Sequence, residues 1–242
     1  MPAATRTRSD AEYDAVERRA FANQRLEDLV ESTVQGEQRS ITLQSMAYVR
    51  TRSPRVQCFT DLLIISFPKG SEKAVEIAPD NMIVLSDKPV GAFGSFRLEK
   101  QPVAPYCVIE YVSKRSAKKD FEESFAKYER LRMPYYLIFH PDNEEITLFR
   151  YDKRKKLFVS VPPNDEDRYP LPEAELEAGI LDGWMRYWFR GELVPLVPDL
   201  KAQTAKAEER AGKAEERAGK AEERAAAAEA ENQRLRRQLG LD

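Results

Sequence analysis

The chain has 242 residues, 39 Lys plus Arg against 41 Asp plus Glu, a net charge of −2 and one histidine, His140. That balance gives no global field for a polyanion, so any nucleic-acid contact must come from a local basic patch. A lone histidine excludes His-rich zinc centres, Ser-His-Asp triads and Cys-His pairs, and neither GxxxxGK[ST] nor GxGxxG occurs, which leaves carboxylates, lysines and a bound cation as the available chemistry.

In chain order, residues 1–8 are expected to be disordered. Ser9 and Glu12 form a capping-box pattern opening a helix that carries Tyr13, Val16, Phe21, Leu26, Leu29 and Val30. A second helix is expected over Ile41–Val49. Strand-like apolar runs follow at 56–67, 75–85 and 106–113, and their continuous apolar character points to strands covered on both faces. KKDFEESFAKYERL places Phe121, Phe125, Tyr128 and Leu131 at helical spacing and leads into the strand PYYLIFHP, a strand, crossover helix, strand unit. ITLFRYD and KLFVSV flank a Lys-rich turn and read as a hairpin; a Pro-rich connection and an apolar segment around Trp184–Phe189 complete the domain, residues 9–194. Cys58 and Cys107 sit inside apolar runs and read as reduced core thiols. With no run near the ~18 apolar residues of a membrane span and no signal-peptide stretch in MPAATRTRSD, a cytoplasmic protein without a membrane partner is expected.

Residues 195–242 change character. Leu200, Thr204, Ala207, Ala211, Ala214, Ala218, Ala221, Ala225, Ala228, Asn232, Leu235 and Leu239 alternate in steps of three and four, a heptad seam. Glu215 and Glu222 fall at e, Arg210 and Arg217 at g, and Asn232 at an a position, where a buried Asn favours two strands. A parallel homodimer through residues 197–239 is expected. The alternative is a solvated single helix laced with Glu–Arg pairs.

Two carboxylates stand out because each lies in or beside a strand that otherwise looks buried: Asp80 in IAPDNMIVL and Glu110 in CVIEYVS. Burying an ionised carboxylate without a partner costs several kcal/mol, so a shared divalent cation is one explanation and a basic partner or a strand end is the other. Mg²⁺ suits such a pair, with Mn²⁺ as a substitute, because it takes oxygen ligands and completes its shell with waters and phosphate. Lys114, Arg115, Lys118 and Lys119 cluster just after Glu110 and could contact phosphates without reading sequence, or could simply form an exposed basic face.

The order PD at 79–80, a gap of about thirty residues, IEYVS, a basic turn, a helix ending in YERL and PYYLIFHP resembles the PD-(D/E)XK nuclease superfamily. More narrowly, it resembles the Uma-two family of restriction-endonuclease-like proteins. The resemblance implies that Asp80 and Glu110 hold Mg²⁺, with the backbone carbonyl of Tyr111 as a third ligand. It also implies that a lysine assists hydrolysis of a phosphodiester by a cation-activated water. The lysine is where the chain departs: Val112 stands two residues after Glu110, and Ser124 stands where Uma-two proteins carry it on the following helix. Lys127, three residues further on nearly the same helical face, is the substitute, with Lys114 second.

The expected fold is therefore α/β: a restriction-endonuclease-like mixed central sheet flanked by helices, with a C-terminal coiled-coil helix. The expected function is a Mg²⁺-dependent DNA endonuclease with Asp80, Glu110 and Lys127 as its catalytic set. The alternatives are a catalytically degenerate DNA-binding module and a coiled-coil assembly protein carrying a passenger domain.

Overall fold

A computed structural model of the chain describes residues 8–23, 32–68, 71–92, 94–112, 118–201, 204–206, 208–210, 212, 213, 216–220 and 232, with the side chains of 118–120 excepted. The chain divides into two compact units, Met1–Val194 and Pro195–Asp242.

Helix α1 spans Asp10–Asn23 and begins on the expected box: Ser9 N donates to Glu12 Oε2 (2.8 Å) and Glu12 N to Ser9 Oγ (3.4 Å). It buries Tyr13 and Val16; Leu26, Leu29 and Val30 lie outside the described residues. Helix α2 spans Thr33–Arg52, so it begins eight residues before the expected Ile41. Its start is a second capping box, with Gln35 N donating to Ser32 Oγ and Ser32 N to Gln35 Oε1, both at 3.2 Å. The buried stripe of α2 is Gln38, Ile41, Thr42, Ser45, Met46 and Val49, the three- and four-residue spacing of one helical face.

Two of the apolar runs each break into a pair of strands that serve different sheets. The first gives β1 (Val56–Thr60) and β2 (Leu63–Ser66), parted at Asp61, whose φ of 49° is left-handed and ends the extended backbone. The second gives β3 (Val75–Ile77) and β4 (Asn81–Leu85), parted at Pro79, which offers no N–H to a ladder. Strands β2 and β3, with β5 (Ser95–Arg97), form a three-stranded sheet in the order β3-β2-β5.

The central sheet is completed by β6 (Cys107–Tyr111), β7 (Tyr135–His140), β8 (Glu145–Asp152) and β9 (Leu157–Val161), in the order β1-β4-β6-β7-β8-β9. It is mixed: β6 and β7 are parallel, joined across α3 (Lys118–Leu131), and every other neighbouring pair is antiparallel. His140 ends β7 opposite Glu145. The period of two distributes each strand between two cores. Tyr135, Leu137 and Phe139 of β7 enter one with Met46 and Val49 of α2; Tyr136 and Ile138 enter the other with Tyr128, Phe121 and Phe125 of α3. On β6 the same alternation sends Cys107, Ile109 and Tyr111 toward α2 and Val108 toward α3, so Glu110 emerges on the α3 face.

The segment around Trp184–Phe189 belongs to a second antiparallel sheet made by β10 (Tyr169–Leu171), β11 (Leu176–Leu181), β12 (Trp184–Phe189) and β13 (Glu192–Leu193). Asp182 and Gly183, at φ of 54° and 79°, make the two-residue β11–β12 turn. Gln38 ties α2 to this sheet as a backbone would: its Nε2 donates to Met185 O (2.9 Å) and its Oε1 accepts from Met185 N (3.0 Å).

In the second unit the described residues are helical from Val197, with Lys213 on Glu209 and Lys220 on Glu216 at four-residue spacing. Most of the heptad seam, including Ala207, Ala211, Ala214, Ala221, Leu235 and Leu239, lies outside the described residues. No helix among the described residues is long and apolar enough to cross a membrane.

Candidate metal centre

The β4–β6 ladder brings the two carboxylates together. Asn81 opens β4 opposite Ile109 of β6, so Asp80, one residue before β4, meets the far end of β6 where Glu110 and Tyr111 lie. Asp80 Oδ2 accepts the backbone N–H of Tyr111 at 2.7 Å. The two carboxyl groups lie close enough that the charge of Asp80 acts on Glu110. Burial, then the neighbouring Asp80 charge, push Glu110 well above the usual carboxylate range. Burial also raises Asp80, but the Tyr111 N–H and the Arg39 guanidinium oppose that rise and favour its charged form.

Three polar groups that the sequence does not mark complete the surroundings. Arg39 of α2 donates through Nη2 to Asp80 Oδ1 (2.9 Å) and through Nη1 to Thr60 Oγ1 (2.7 Å) and the Asp80 carbonyl (3.2 Å), and it is also paired with Asp61. Gln35, one turn earlier, donates through Nε2 to the Tyr111 carbonyl at 2.8 Å. Tyr128 of α3 was read as apolar core, and it is fully buried, but its hydroxyl donates to Glu110 Oε1 at 2.5 Å. Beneath the pair, Tyr111 Oη lies 2.7 Å from both Thr42 Oγ1 and Asn81 Oδ1, and Thr42 also meets Tyr187 Oη of β12 at 3.1 Å. The strand ends carrying both carboxylates are thereby fastened to α2 and to the second sheet.

The oxygen-only donor set of Asp80, Glu110 and the Tyr111 carbonyl fits a hard divalent cation. A buried carboxylate whose charged form is opposed by a second carboxylate fits one too, because a cation would relieve that repulsion. Among the described residues no group of three or more His, Cys, Asp and Glu could hold a metal. Mg²⁺ does not need one, since it is commonly held by one or two carboxylates with waters and substrate phosphates.

The chain matches the model of the Uma2 family, described as "Putative restriction endonuclease", over residues 28–180. It belongs to the Uma2 family. The match runs from just before α2 into β11, so the Uma2 region contains both carboxylates, α2 and the crossover helix. The structure is also similar to a crystal structure of "a putative nuclease belonging to DUF820" from Anabaena variabilis ATCC 29413, at 14% identity and a TM-score of 0.44. That similarity covers 60% of this chain and 75% of that one. No curated protein matches.

The remaining expected residues of this Uma2 chain are distributed as follows. Val112, at the position where the resemblance implies a lysine, is half-buried and packs against the α3-side core. Lys127 places its ammonium 2.7 Å from Glu123 Oε1, and with Ser124, Asp61 and Glu76 it lines a cavity of about 690 Å³. Lys114 and Arg115 lie outside the described residues; Lys118 and Lys119 open α3, and their side chains lie outside the description.

Proposed function

We propose that this Uma2 protein is a divalent-cation-dependent endonuclease acting on DNA, with Asp80 and Glu110 holding Mg²⁺ or Mn²⁺. The observation that carries the reading is the convergence of two largely buried carboxylates at the β4–β6 strand ends, where the Tyr111 N–H binds Asp80 and burial and the Asp80 charge push Glu110 up. The Tyr111 carbonyl is the third donor, with Gln35 fixing that peptide. A cation at such a pair supplies polarisation of a phosphate oxygen and acidification of water. The protein's own part is to orient: Tyr128 aims Glu110, the Tyr111 N–H aims Asp80, and the Tyr111–Asn81–Thr42 network holds both strand ends in place.

Lys127 is the provisional lysine; rotation of its long stem away from Glu123 is the movement this role demands. Lys114, Arg115, Lys118 and Lys119 are the proposed phosphate contacts, conferring affinity without sequence readout. Residues 197–239 are the proposed parallel homodimer. One observation favours a second reading, a DNA-binding module that no longer cuts: the lysine position after Glu110 is filled by Val112, and Lys127 is paired with Glu123.

Incubation of supercoiled and linear DNA with Mg²⁺ or Mn²⁺ tests the proposal. The parent protein is expected to nick, and Asp80→Ala and Glu110→Ala to abolish nicking. Absence of nicking under every condition refutes the endonuclease, and salt-sensitive DNA binding that survives chelation would then support the second reading.

A further inference from the structure

Arg39 is the one described side chain that places a positive charge on Asp80 directly, and the way it is held is unusual for a simple ion pair. Its guanidinium reaches two carboxylates from separate nitrogens, Nη2 on Asp80 and Nη1 on Asp61. These partners differ sharply: the Asp80 side chain is 21% exposed and that of Asp61 is 67% exposed. The backbone fixes their adjacency. Thr60 pairs with Asn81 at the end of the β1–β4 ladder, Asp61 N donates to the Asp80 carbonyl (3.3 Å), and Thr60 Oγ1 donates to the same carbonyl (3.0 Å). Asp61 adopts left-handed backbone there and borders the open cavity that Glu76 and Glu123 also line.

With Oδ2 of Asp80 taken by the Tyr111 N–H, Oδ1 is the oxygen that Arg39 occupies. A divalent cation bound to Oδ1 would sit against the guanidinium in a poorly solvated position, where like charges repel far more strongly than in water. We infer that Arg39 is the resident counter-ion of Asp80 and competes with the divalent cation for Oδ1. Asp61 is the second holder, onto which the guanidinium withdraws when the cation binds. This inference rests on the metal reading proposed above and adds a determinant of cation affinity from a helix that supplies no metal ligand. Arg39 is thus a positioning residue: it favours the charged form of Asp80, holds its Oδ1 without a cation and yields when one arrives. The fork geometry of arginine is what allows one side chain to serve both carboxylates.

The test is Mn²⁺ titration of the full chain at pH 8, with free Mn²⁺ counted by electron paramagnetic resonance and folding checked by circular dichroism. The proteins are the parent, Arg39→Gln, Arg39→Lys, Asp61→Asn and Asp80→Asn. Removing the competing charge is expected to tighten Mn²⁺ at least tenfold in Arg39→Gln, about 1.4 kcal/mol, while Arg39→Lys, which keeps the charge, stays within about threefold of the parent. Asp61→Asn is expected to weaken Mn²⁺ threefold or more, because the guanidinium loses its alternative holder and stays on Asp80. A merely structural Arg39 would not move affinity in opposite directions at its two ends. Folded Arg39→Gln with unchanged or weaker binding overturns the inference, as does Asp61→Asn with unchanged or tighter binding. Should Arg39→Gln fail to fold, the exposed Asp61 position decides alone. Binding that Asp80→Asn abolishes but the Arg39 and Asp61 variants leave unmoved overturns only the counter-ion role. Binding that Asp80→Asn leaves intact, or Mn²⁺ that binds none of the proteins, overturns the metal reading with it.

Discussion

Replacing Glu110 by Gln in the cation-free protein is predicted to flatten the dependence of stability on pH. Burial and the neighbouring Asp80 raise the folded-state pKa of Glu110, so folding stabilises its protonated form. The sign follows from linkage: the stabilisation is complete below the unfolded carboxylate value of about 4.3 and is lost as pH rises through the folded-state value. Across that window one proton separates the folded and unfolded states, so the parent loses about 1.4 kcal/mol per pH unit from this group alone. Gln keeps the shape and can still accept from Tyr128, but it has no proton to lose. Urea unfolding of parent and variant at half-unit pH steps in the presence of chelator measures the difference, which should grow with that slope in favour of the variant. Mg²⁺ or Mn²⁺ should reverse the parent's loss at the upper end of the window, because the cation takes the proton's place. Parallel stability curves for the two proteins would refute the upward shift of Glu110.

Tyr111→Phe removes a hydroxyl 2.7 Å from both Asn81 Oδ1 and Thr42 Oγ1 and is predicted to cost about 2–3 kcal/mol in urea unfolding, since a buried acceptor is left unsatisfied. A loss below about 0.5 kcal/mol would show that the network does not fasten the strand ends. Gln38→Ala orphans both backbone groups of Met185 and is predicted to cost about 2–4 kcal/mol, with protection from hydrogen exchange at Met185 lost. Truncation at Pro198 is predicted to convert a two-chain particle to a single chain by light scattering, and an unchanged number of chains per particle would defeat the coiled-coil dimer.

The parts legible in the sequence are those where a local pattern and the tertiary role agree. Phe121, Phe125 and Tyr128 announce both the helix and its buried face, PYYLIFHP announces β7, and Asp80 and Glu110 announce themselves as acids in apolar runs. The start of α2 was hidden because TVQGEQRS has no apolar repeat. Its inward side chains are Gln35, Gln38, Arg39 and Thr42, polar groups justified only by partners on β1, β6 and β12 that are remote in sequence. The capping pair Ser32 and Gln35 was the available signal. Tyr128 was correctly placed by its ring, but the destination of a hydroxyl cannot be read from periodicity. The break at Asp61 left no trace because apolar residues continue on both sides, whereas Pro79 offered a signal for the second break inside a run read as one strand. The second sheet was missed although Asp182-Gly183 is a hairpin dipeptide; its strands are short and their cover is distant in sequence.

The most direct test of the account is the stoichiometry of Mn²⁺ binding by the full chain, compared with Asp80→Asn and Glu110→Gln. The account predicts one site per chain in the parent, tightening as pH rises and the Glu110 proton is released, and its loss in each variant. Equal Mn²⁺ binding by all three proteins would contradict it.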